Sequence, residues 1–431
     1  MKILPQISLF DQSQIEILGD LERLQLLIDN IPDEKLINKL WKIRGKGRND
    51  WSVVAMWHTF LASFVFQHKT VAELIRELNR NSQLRVICGI NPRTVKQADG
   101  TYTIYIAPSE SAYTNFFKNL IKCKKELDEI FIELRKFMYD NLEGFGETAA
   151  GDGKAIQSFA TTYSKNEEKD GRRDTDADWG IKKYTTSVNE KGETIINKKK
   201  WFGYRLHLIV DTKYELPIAY KVTKASNSEK IEMLNMIQEI AKTAPEIILE
   251  LKYFLADKGY DYTKLIEYLE EEDITPIIDI CNMWQNGEKT KQYRNTDLVY
   301  TYYGEVYFVA DKGEQLKLNY MGYDKNSESL RYGFHPQYKD NRVFRIKIEE
   351  DKRIFVPVAR DSKKWKRKYK ERTSVERANG RLDRDYGFEL HTIRGLDKME
   401  LFVRTALIIQ LAMAKGKILQ NKKEHLAALV A

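Results

Sequence analysis

Near Gly151 the hydrophobic rhythm of the chain changes, and that change limits what it can fold into. Before it, stretches such as Trp51–Phe66, Thr70–Arg80 and Ala112–Leu142 carry apolar residues at helical spacing, and Pro108-Ser109 reads as a helix entry. After it the pattern alternates in short runs. Gly151–Ala160 reads as a short strand. The polar stretch Thr161–Glu193 reads as a loop. Phe202, Tyr204, Leu206, Leu208 and Val210 share one face of a hairpin strand that returns through Leu216–Thr223. Helix (228–244), strand (253–257), helix (263–273) and strand (275–280) follow.

That order predicts an α/β protein built on a mixed sheet flanked by helices. Residues 281–360 hold Tyr-, Val- and Ile-rich runs with charged turns and read as a β-rich insertion. From Thr373 the chain is helical again, through Lys398–Ala414. The expected division is a helical N-terminal domain over 1–145, the first part of the core over 146–280, the insertion over 281–360, and a helical C-terminal part of the core over 361–431.

The 431 residues are 42% hydrophobic and 31% charged, enough apolar material for a core and enough charge for a wet surface. The apolar stretches 51–66 and 401–414 are short for a membrane span and carry polar residues, so they read as buried helices. The N-terminus lacks a continuous apolar run ahead of a cleavage site, so no signal peptide is expected. Cys88, Cys123 and Cys281 lie far apart, which excludes a disulfide framework and a structural zinc site. A reducing cytoplasm fits.

The net charge of +8 is modest, so its distribution matters more. Lys363, Lys364, Lys366, Arg367, Lys368, Lys370 and Arg372 cluster around Trp365 and Tyr369, a mix that suits nucleic acid as well as a solvated face. Two weaker basic segments, Arg44–Arg48 and Lys198–Lys200, fit a phosphate backbone and an ordinary surface equally.

Three carboxylates stand out. Asp152 lies between Gly151 and Gly153, small neighbours that let an ion or a backbone approach. Asp257 ends a buried strand, where open α/β sheets place their sites. Glu376 starts a helix, where Thr373-x-x-Glu376 also fits a capping box. Singly, each is an ordinary turn or cap residue. Clustered, they repel one another unless a cation neutralises them, and oxygen-only ligands suit Mg²⁺ or Mn²⁺. His207 reads as a packed histidine, and Asp174, Asp176 and Asp178 as a solvated acidic loop.

These segments resemble the bacterial insertion-sequence transposases of the DDE class with the signature Tyr-x2-Arg-x3-Glu-x6-Lys. Tyr369, Arg372 and Glu376 stand at those spacings. Gly151–Ile156 around the first Asp, the hairpin 199–229 and Leu255–Asp261 around the second are also similar, as are stretches of the N-terminal region. The resemblance implies a ribonuclease H-like catalytic core with its β-rich insertion between the second Asp and the Glu. It implies catalysis and metal binding by Asp152, Asp257 and Glu376, with Mg²⁺ as cofactor and Mn²⁺ as substitute. DNA contacts would come from Tyr369, Arg372, Lys363, Lys364, Arg367, Lys368 and Arg384. The family's Lys is Asp383 here, with Arg384 beside it as a partial substitute.

The function expected is metal-dependent cleavage and strand transfer of an insertion sequence, by a probable-homodimer assembly on double-stranded DNA, at element ends and target, with no membrane partner. The location expected is the cytoplasm, on the nucleoid when DNA is bound. The alternatives are a transposase-derived DNA-binding protein with weak or no activity, which Asp383 favours, and a ribonuclease H-like nuclease acting on RNA or junctions.

Overall fold

The computed structural model describes residues 19–46, 50–160, 174–188, 194–284, 287–311 and 313–429, with backbone alone over 183–188 and 194–197. The chain forms two compact units, one of residues 1–141 with 381–431, the other of 142–380. The sequence reading joins all of 361–431 to the core, whereas here 381–431 groups with the N-terminal helices.

In the first unit, Val53–Val65 and Leu396–Leu419 are the two apolar stretches seen in the sequence. Both are helices buried on nearly every side. Ser52 starts the former, its hydroxyl accepting from the Ala55 amide. No described helix is long and apolar enough to cross a membrane. A small hairpin, Arg93–Lys96 with Tyr102–Tyr105, interrupts the helices. Its strands are short and mostly solvent-facing, so they leave little hydrophobic period to read.

The second unit is built on one sheet. Its first strands are β1 (Thr148–Gln157), β2 (Asp178–Val188), β3 (Thr194–Asp211) and β4 (Pro217–Lys224). Then come α1 (Glu229–Thr243), α2 (Pro245–Glu250), β5 (Tyr253–Ala256), α3 (Thr263–Glu271) and β6 (Thr275–Ile278). The order is β2-β3-β1-β5-β6, with β4 also paired to β3. β1 runs antiparallel to β3 and parallel to β5, and β5 runs parallel to β6. The sheet is therefore mixed, as the sequence predicts. Met233, Met236, Ile237 and Ile240 form the buried stripe of α1; Leu265, Ile266 and Leu269 form that of α3.

Part of the stretch read as a loop is strand. Residues 161–173 and 189–193 lie outside the described residues, but Asp178–Val188 pairs along the first half of β3. β2 is held by its backbone ladder, and its Trp179 and Ile181 are exposed, so its side chains carry little burial pattern.

The insertion between β6 and residue 363 is β-rich, as expected. It holds a four-stranded and a three-stranded antiparallel sheet around one aromatic core that includes Tyr300, Tyr332, Leu330, Ile346 and Phe355. Ile354–Val356 joins this core without being a strand. After it come α4 (Lys363–Tyr369), a 3-10 turn (Lys370–Arg372) and α5 (Thr373–Tyr386).

Candidate active site

The parallel register of β1 and β5 pairs Ala150 with Leu255. Continued by two residues, it sets Asp152 level with Asp257, just past the end of β5. Asp257 turns the chain: its Oδ1 accepts from the Gly259 amide at 2.8 Å and caps the 3-10 turn Lys258–Tyr260. Burial pushes the Asp152 carboxyl up to about 6, against the pull of Lys182, and the charges of Asp257 and Glu229 add to the rise. Two of the three predicted carboxylates thus share one patch and repel.

The glycines beside Asp152 serve packing rather than ligand access. A Cβ on Gly151 would meet Met233 and Phe254 at 2.8 Å, and one on Gly153 would meet Glu229 at 2.9 Å. They let α1 and β5 approach closely.

Glu376 lies in the first turn of α5, and the capping box does not form. Thr373 has helical backbone angles, and its hydroxyl donates to the Lys370 carbonyl at 3.0 Å. The preceding turn runs straight into α5, so Thr373 is no N-cap. The Glu376 carboxylate instead accepts from Arg372 Nη2 at 2.6 Å. Arg372 also lies over the ring of Tyr369, 5.5 Å from its centroid, and Tyr369 stacks on Trp365 at 4.5 Å. Burial pushes the Tyr369 hydroxyl up to about 12, with Arg372 opposing and Asp279 and Asp257 adding. Burial works against the Arg372 charge, but the bond to Glu376 and the charge of Asp257 outweigh it and raise its pKa. Asp257 therefore links the strand-end carboxylates to the Tyr369–Arg372–Glu376 group. With Glu376 turned to Arg372, no three His, Cys, Asp or Glu among the described residues stand close enough to hold a metal ion.

Of the predicted basic contacts, Lys363, Lys364 and Arg367 are exposed along α4, which starts where Ser362 accepts from the Trp365 amide. Lys368 pairs with Glu371 at 2.8 Å and lies over the Tyr253 ring. Arg384 belongs to the other unit and is paired with its neighbour Asp385 at 2.8 Å. Lys198–Lys200 are exposed on β3. In the segment 44–48, residues 47 and 48 lie outside the described residues.

Two smaller readings are settled by contacts. His207 is buried, bonded through Nε2 to the Thr223 hydroxyl at 2.9 Å, and burial lowers its pKa to about 4. It is a packed histidine. The acidic loop is not solvated as read. Asp174 is buried and accepts from the hydroxyls of Ser158 and Tyr204, and Asp178 accepts from the amide and hydroxyl of Ser226. These carboxylates tie β2 to β1, β3 and the segment after β4.

Several residues at the site escape sequence reasoning. Asn379 Nδ2 donates to Asp152 Oδ2 at 3.1 Å, while its Oδ1 is buried without a partner. Glu229, Arg205, Tyr260 and Lys182 also surround the carboxylates. The only signal for Glu229 and Asn379 is their place in the segments 199–229 and 371–382 that carry the resemblance; Lys182 lies in the stretch read as loop.

A mixed sheet with paired carboxylates at adjacent strand ends defines an α/β protein with an acidic site fit for oxygen-ligand chemistry. The family model described as the transposase DDE domain matches residues 169–411, more than half of the chain. The chain belongs to that family. No curated protein matches it. Among solved structures, a piggyBac transposase in a synaptic complex with hairpin DNA aligns over 97% of this chain and 82% of that one, at 9% identity and a TM-score of 0.35. That likeness is too loose to transfer any residue.

Proposed function

We propose that the chain is the transposase of a bacterial insertion sequence, cutting the ends of its element and joining the freed 3′-hydroxyl to target DNA. The observation that carries this reading is the register that sets Asp152 beside Asp257, in a chain of the transposase DDE family. The strand order β4-β3-β1-β5-β6, with the first three antiparallel and the last pairs parallel, supports a ribonuclease H-like core.

The residues fit divalent metal. The donors are all oxygen, the two aspartates repel as anions awaiting a cation do, and the buried Asn379 Oδ1 and Tyr260 hydroxyl lack partners. Asp152, Asp257 and Glu376 would hold Mg²⁺ or Mn²⁺, which supplies activation of the attacking hydroxyl and neutralisation of the leaving oxygen. The chain's own groups do the rest. Asn379 holds Asp152 in place. Arg372 presents a planar donor fork to a phosphate once it releases Glu376. Tyr369, fixed between Trp365 and Arg372, lines the approach, and Lys363, Lys364, Arg367 and Lys368 extend a cationic edge for double-stranded DNA. A homodimer on DNA fits cutting at two element ends.

A second reading, a DNA-binding derivative without activity, draws on Asp383 and on the Arg372–Glu376 pair that withholds the third carboxylate. Nicking of the element's own end DNA decides between them. Metal-dependent nicking by the natural protein and none by Glu376→Ala supports the transposase. Salt-sensitive DNA binding without nicking by either points to the derivative.

A further inference from the structure

We propose that Glu229 is a fourth carboxylate of this site and a direct ligand of the divalent ion held by Asp152 and Asp257. The proposal rests on the metal-dependent reading above and adds a residue that the Asp152–Asp257–Glu376 set does not contain.

Glu229 is the first residue of α1, and its side chain reaches back over both aspartate-bearing strand ends. Its Oε1 lies 2.9 Å from where a Cβ on Gly153 would stand, next to Asp152. Its Oε2 lies 3.7 Å from the same point on Gly259, which Asp257 Oδ1 approaches to 2.9 Å. Both Glu229 oxygens thus fall on the patch that joins the two aspartates.

Those oxygens also have lone pairs to spare. Arg205 Nη1 is 3.5 Å away, too far for a hydrogen bond, and donates instead to the Asn227 carbonyl at 2.8 Å. Among the described residues Glu229 accepts no hydrogen bond. An ordinary counterion to a buried arginine would take that nitrogen directly.

Tyr260 supplies an independent sign of a missing ligand. Its side chain is fully buried and its hydroxyl has no partner. The charges that act on that hydroxyl are Asp152, Glu229 and Asp257. A buried donor left unpaired beside three carboxylates marks a centre that closes only when its charge is neutralised. A cavity of about 380 Å³, lined in part by Glu229, Gly259, Arg205 and Asn227, gives an ion and a phosphate a way in. Without an ion the carboxylates stand apart, as mutual repulsion requires. Glu376 is meanwhile held by Arg372, so Glu229 completes a three-carboxylate set before DNA arrives.

The test is Mn²⁺ binding to the full chain, followed by loss of the free-ion paramagnetic signal and by calorimetry. Wild type binds Mn²⁺ and Asp152→Asn does not. Glu229→Gln weakens binding about tenfold to a hundredfold, the range for losing a group that tunes a metal site. Glu229→Asp keeps the charge beside Arg205 but withdraws the oxygens by one methylene, and it weakens binding too. Wild-type affinity in Glu229→Gln, with binding still lost in Asp152→Asn, overturns the proposal and leaves the function standing. Wild-type affinity in an Arg205→Gln/Glu229→Gln double variant also overturns it, since Glu229 would then serve only Arg205. No Mn²⁺ bound by the wild type removes this proposal and the metal-dependent reading together.

Discussion

Arg372 Nη2 donates to Glu376 Oε1 at 2.6 Å, one helical turn away. The carboxylate expected to bind metal is therefore locked to the arginine expected to bind phosphate. Each would release the other when DNA and ion enter together, which couples substrate arrival to completion of the site.

That coupling separates stability from activity in Arg372→Ala. Glu376 is half-exposed, and an exposed pair contributes about 1 kcal/mol or less. The urea midpoint should barely move. Nicking should fall about a hundredfold, the scale for losing one preorganised charge at a transition state. Nicking at the wild-type rate would remove Arg372 from the phosphate site.

Asp152→Asn should make the metal-free protein more stable near neutral pH. In the fold the carboxyl is pushed up to about 6, first by burial, from an ordinary value of 3.8. A raised acid favours the fold below about 3.8 and loses that contribution as pH rises through about 6. Ionised Asp152 then costs on the order of 2–3 kcal/mol at pH 7. Asparagine avoids that cost and can still accept from Asn379. Urea melts of both proteins at pH 4 and pH 7.5, with chelator present, check this. The gap should open only at the higher pH, and equal gaps would contradict the shift.

What was legible in the sequence follows from what carries period. The strands β1, β4, β5 and β6 and the helices α1 and α3 are buried on apolar stripes, so their elements could be read directly. β2 could not, because a polar strand held by its ladder and by Asp178 on Ser226 looks like a loop. Asp152 and Asp257 stand at strand ends beside glycine, a pattern that marks sites, although the glycines make room for Met233, Phe254 and Glu229 instead of a ligand. Glu229, Tyr260 and Asn379 carry no such mark. Their nearness to Asp152 is a product of helix packing, and no spacing along the chain encodes it. The Thr373–Glu376 capping box shows the opposite failure: the spacing is right, but the turn before it is already helical.

The cationic edge of α4 should appear in the salt dependence of DNA binding. Lys363, Lys364 and Arg367 are exposed and pair with no acid among the described residues. Replacing all three by alanine should lower the slope of log affinity against log salt by about 0.9 for each lost phosphate contact. Affinity should fall alike for element ends and unrelated duplex, since phosphates carry no sequence. A loss confined to element ends would assign these side chains to base reading.

Tyr260→Phe tests whether the orphaned hydroxyl belongs to the loaded site. An unpaired buried hydroxyl costs about 1–3 kcal/mol, so removing it should raise the melting temperature of the metal-free protein. Adding Mn²⁺ draws the carboxylates of Asp152, Asp257 and Glu229 together around that hydroxyl and gives it an acceptor. Wild type should then gain more from Mn²⁺ than the phenylalanine variant does, and the difference between the two should shrink or reverse. An equal gain in both would mean the hydroxyl stays unpaired with metal bound, and its cost would have to be assigned to packing in the turn after Asp257.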